Sequence, residues 1–100
     1  MQKSSAKQKV EFFEYKGLPL VRKGDTIYYG NMEDDYVVMM TVLKKKKFAD
    51  LNVASKVRVQ LLSTDPNADA TELVLRTSEQ DGLYNALDIG HIWLERQLAE

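Results

Sequence analysis

Asp88, His91 and Glu95 stand at i, i+3 and i+7, so one face of a helix would present all three. Two carboxylates and an imidazole are donors that a divalent metal takes. The same residues suit a solvated helix face equally well, because Asp and Glu are common there. No metal or other cofactor is expected, and these three are the ligand candidates if one binds. His91 is the single histidine, and no serine sits in a G-x-S-x-G turn, so triad chemistry has no motif to stand on. Asp34 with Asp35, and Asp65 with Asp69, lie in turn-like sequence, where Asp serves the backbone.

Lys44, Lys45, Lys46 and Lys47 form the one biased segment. With Lys56 and Arg58 on a neighbouring strand they would make a basic patch for nucleic acid or another polyanion. Tyr28, Tyr29 and Tyr36 could stack on bases. Successive strand residues alternate between faces, so only two of the four lysines share a side. Lysine on an exposed strand also blocks edge-to-edge pairing.

The five glycines make neither G-x-G-x-x-G nor G-x-x-x-x-G-K, which leaves out phosphate loops and dinucleotide fingerprints. There is no cysteine, hence no disulfide, thiolate metal site or thiol nucleophile. The net charge of −1 argues against a dedicated polyanion binder, yet it hides an asymmetry. Residues 1–60 carry twelve Lys/Arg against seven Asp/Glu, and residues 61–100 two against eight. One basic and one acidic face are therefore possible.

The elements that must position these residues are strands followed by a helix. Residues 1–8 read as a flexible basic tail, and 9–100 as a single α+β domain. The opening nine residues lack an apolar stretch, so no secretory signal is expected. The longest mostly apolar run, 36–43, is too short to span a bilayer as a helix. The expected location is cytoplasmic, with no membrane partner.

About six antiparallel strands are expected, at 10–15, 18–22, 26–30, 36–43, 56–63 and 71–76. Lys16-Gly17 and Lys23-Gly24-Asp25 mark turns. The fourth strand is apolar on both alternating sets, which predicts that both of its faces are covered; a continuation through the lysines to residue 48 fits the same pattern. Residues 49–55 carry no clear signal. A hairpin centred near Asn67 would set Val59 against Leu75 and Leu61 against Leu73.

The C-terminal helix is expected to start between residues 78 and 81 and to pack on the sheet. Thr77-x-x-Gln80 fits a capping box, and Asp81 is an alternative N-cap. Leu83, Leu87, Leu94 and Leu98, with Gly90 among them, make one apolar stripe. Ile89, Ile92 and Trp93 make a second. A glycine inside a helix costs about 1 kcal/mol against alanine, so Gly90 next to Ala86 implies close packing.

The segments LVRKGDTIYYGN and GLYNALDIGHIWLERQL resemble short uncharacterised bacterial proteins of about this length, over residues 20–98. That likeness implies no activity and no site residues. The order of strands and then one helix with a Trp is also similar in outline to pleckstrin-homology domains. Those have seven strands and a basic loop between the first two; here six are expected and the lysine run comes late, so lipid binding does not carry over.

The expected function is a non-enzymatic interaction or assembly domain. It would be a homo-oligomer, a dimer, that self-associates through Ala86, Ile89, Gly90 and Trp93 on the helix. The competing expectation is polyanion binding through Lys44, Lys45, Lys46, Lys47, Lys56 and Arg58.

Overall fold

The computed structural model describes residues 10–99. The expected tail at 1–8 lies outside them. Six strands, β1 (Val10–Tyr15), β2 (Leu18–Lys23), β3 (Thr26–Tyr29), β4 (Tyr36–Phe48), β5 (Leu51–Ser63) and β6 (Val74–Gln80), form one sheet. The helices are α1 (Ala70–Leu73) and α2 (Leu83–Ala99). Spatial order equals chain order from β1 to β6, and every pair is antiparallel. The expected α+β fold, a six-stranded antiparallel sheet with a C-terminal helix packed on it, is the fold observed.

The hairpins follow from local backbone chemistry. Tyr15 pairs with Leu18 across Lys16-Gly17, both at positive φ, as a two-residue turn matched to strand twist requires. The long β4–β5 hairpin turns at Ala49-Asp50, with Ala49 at φ 57°. Nothing in an alanine announces a left-handed position. Residues 51–55, expected as a loose connection, are therefore the start of β5. β4 and β5 each run for 13 residues. Pairing of β3 with β4 ends at Thr41, and that of β5 with β6 at Val57. Beyond those points the two strands continue as an arm with no other strand beside it among the described residues.

Residues 64–80 depart from expectation. Asp69 caps a single helical turn: its carboxylate accepts from the Thr71 and Glu72 backbone N–H groups, and Glu72 reaches back to the Asp69 N–H. This turn takes up 71–73, so β6 starts at Val74. Val59 then faces Ser78, not Leu75, and Leu61 faces Arg76, not Leu73. Thr77 and Gln80 are strand residues rather than a helix cap. The Gly82 carbonyl accepts the first bond of α2, from the Ala86 N–H.

Cross-strand partners share a face. Ile27, Met40 and Val59 form one row, Tyr29, Val38 and Leu61 the next, Val42 and Val57 a third. All are buried, and they form the core with Ala86, Leu87 and Leu94 of α2. The second face of β4 carries no helix, contrary to the expectation of two covered faces. No helix among the described residues is long and apolar enough to cross a membrane.

Candidate functional site

The polar face of α2 does not assemble a metal centre. The Tyr29 hydroxyl donates to the Tyr15 carbonyl at 2.8 Å and lies 3.1 Å from His91 Nδ1. A hydroxyl has one proton to give and a carbonyl only accepts, so Nδ1 carries the proton and donates to the Tyr29 oxygen. His91 Nε2 then faces the Glu95 carboxylate at 3.9 Å. The ring is turned inward against Tyr15 and Tyr29, with centroids 6.4 and 6.2 Å away. Asp88 stays on the exposed surface. Among the described residues no three His, Cys, Asp or Glu side chains are grouped to hold a metal. The cluster instead ties α2 to β1 and β3. Burial, with Tyr15 and then Glu95 adding to it, pushes the Tyr29 phenol up to about 12.

The small residues of α2 face inward. Ala86 is fully buried, and a Cβ added at Gly90 would meet Val38 Cγ1 at 3.0 Å and Val59 Cγ1 at 3.6 Å. The helix crosses β4 and β5 so closely that only glycine fits without displacement, which offsets its poor helix propensity. Ala86 and Gly90 thus have no surface to offer a partner. Ile89 and Trp93 pack against the core edge, and the Arg76 guanidinium covers Trp93 at 5.7 Å. β6 therefore covers only part of the second apolar stripe: Ile92 stays exposed, and a hollow of about 430 Å³ lies between Arg76, Ile89, Ile92, Trp93 and Arg96.

The cations are divided. Lys45 meets Asp25 at 2.9 Å, Lys56 meets Asp81 at 3.7 Å and Arg58 meets Glu79 at 3.5 Å. Lys44, Lys46 and Lys47 are exposed on the arm, with no carboxylate within 4 Å among the described residues. The three tyrosines do not form one platform. Tyr29 is buried, Tyr36 packs on the core and Tyr28 lies on the opposite face.

Two surfaces stand out that motif and composition did not mark. On the open face the register aligns Phe12, Val21, Tyr28 and Met39 across four strands. Beside them lie Pro19, Leu62 and Val74, while Val37 on the same face is buried. Phe12 is 76% exposed. On the helix side, a groove of about 700 Å³ runs between the arm, β1–β2 and the start of α2. The alternation in VEFFEY was the available signal, because it sends Phe12 and Phe13 to opposite faces. No protein-family model, curated protein or solved structure matches this chain.

Proposed function

We propose that the protein is a non-enzymatic assembly domain that forms a homodimer through the open face of its sheet. One observation carries this reading: the unbroken apolar row Phe12–Val21–Tyr28–Met39 on a face with no covering element among the described residues. Contiguous apolar patches of this kind commonly mark interaction sites. Two sheets stack face to face at about 10 Å when their inner side chains interdigitate.

The charges beside the row favour a second copy as the occupant. Lys23 lies on one side of it and Glu14 on the other, both on the open face. A two-fold axis along the row lays row on row. It also sets Lys23 of one copy over the Pro19–Glu14 pair of the second. Expected self-association is thereby retained, but on the sheet instead of on a helix whose small residues are buried.

Sedimentation velocity across a concentration series tests the proposal. The wild type is expected to dimerise, and a Phe12→Lys, Tyr28→Lys double variant to remain monomeric while keeping its circular dichroism spectrum. A wild type that stays monomeric to its solubility limit, or a double variant that still dimerises, overturns it.

A further inference from the structure

The groove on the helix side is independent of the assembly face, because the sheet lies between them. Ile27 and Leu87 form its buried floor. Phe13, Leu51 and Val53 wall it, and all three are large apolar side chains left exposed. Leu51 and Val53 belong to the arm, which has no strand neighbour there to satisfy them. The volume falls in the range of small-molecule sites, about 300–1,000 Å³.

Two charged residues line it, Arg22 and Asp81. Arg22 lies in the groove and donates through Nε to the Gly24 carbonyl at 3.2 Å, which holds the guanidinium in place. Among the described residues no carboxylate comes within 4 Å of Arg22, Glu11 on the facing strand included. On the arm side Lys46 lines an adjoining hollow that shares Val53, Ala54, Asp81 and Gly82 with the groove. Asp81, the acidic group of both, is already paired with Lys56. An apolar trough with an uncompensated guanidinium complements a single apolar chain with one anionic head. Arg is suited to a carboxylate because its fork of N–H donors bonds both oxygens at once.

We infer that this groove binds a free, single-chain amphiphilic carboxylate, with the tail along Ile27, Leu87 and Val53 and the head on Arg22. Titration of the ¹⁵N-labelled protein with decanoate, read by amide shifts, tests it. Saturable shifts at Leu20, Ile27, Val53 and Leu87 are expected. Arg22→Gln should weaken decanoate about tenfold, the usual scale for losing one charge-assisted pair, and leave 1-decanol binding unchanged. Val53→Asp on the exposed arm should weaken both. Four results would overturn the inference: no groove shifts with decanoate, equal decanoate affinity in Arg22→Gln, response only to phosphatidylglycerol vesicles, or groove shifts that track protein concentration without ligand. The last would mean that a second copy fills the trough. Dimerisation through the open face is read separately by sedimentation, so either idea can fail alone.

Discussion

The two faces of one sheet are made from the same strands, yet they have opposite fates. On one, Ile27, Met40 and Val59 are sealed by α2. One residue along, Tyr28 and Met39 face outward beside Gln60 and Thr77. The covered face is apolar in every row from β3 to β5. The open face mixes its apolar row with Thr26, Thr41, Arg58 and Glu79. The covered face therefore supplies most of the folding free energy, while the open face is able to meet water or a partner without unfolding the chain.

The sharpest way to break this contrast is at the centre of the covered face. Leu94→Ala should destabilise by about 2–5 kcal/mol, since Leu94 is fully buried and truncation leaves a cavity under the sheet. Urea unfolding measures this, and a loss below about 1 kcal/mol would mean that the helix is loosely docked.

A smaller effect is expected at the polar tie on the same face. Tyr29→Phe should cost about 1–2 kcal/mol near neutral pH, because the Tyr15 carbonyl loses its donor and His91 Nδ1 its acceptor. The phenol's folded value of about 12 lies above the unfolded value of 10. The folded state thus holds the proton more tightly. Its contribution is complete below pH 10 and is lost as pH rises through 12. Unfolding curves for the two proteins should accordingly converge across that window, and parallel curves would refute the assignment.

The least effect belongs to the open face. Phe12→Ser, measured at high dilution, should change folding stability by less than about 0.5 kcal/mol. A loss comparable with that at Leu94 would show that Phe12 is packed within the chain.

Much of the architecture was legible because the alternation of apolar residues matches a pleated strand with one buried side. Residues 10–43 turn at glycines, and glycine is a visible marker. The later half was harder to read for specific reasons. Ala49 adopts a left-handed turn with no glycine or asparagine to signal it. Leu73 and Leu75 alternate as a strand would, but Asp69-x-x-Glu72 draws residues 70–73 into a helical turn and shifts β6 by three residues. That capping box was present in the sequence beside the rival one at Thr77. Tertiary pairing decided between them, since Thr77 and Gln80 are needed opposite Gln60 and Val57.

The site was less legible than the fold. Helical spacing places Asp88, His91 and Glu95 on one side, but spacing does not show that Tyr29 draws the imidazole inward. The value of Gly90 was visible as a need for close packing. Its neighbour proved to be the chain's own Val38. The groove draws residues from β1, β2, β3, β5 and α2, whose meeting depends on how far the arm extends.

The sequential strand order has a kinetic consequence. Each strand pairs with the one made just before it, so the sheet can grow hairpin by hairpin with short loop closures, a pattern that favours rapid folding. The helix that seals the core follows all six strands in the chain. During synthesis, therefore, a nearly finished sheet waits with Ile27, Met40 and Val59 bare until residues 83–99 emerge. The interval before that helix docks is when the nascent chain is most exposed to aggregation and most in need of a chaperone.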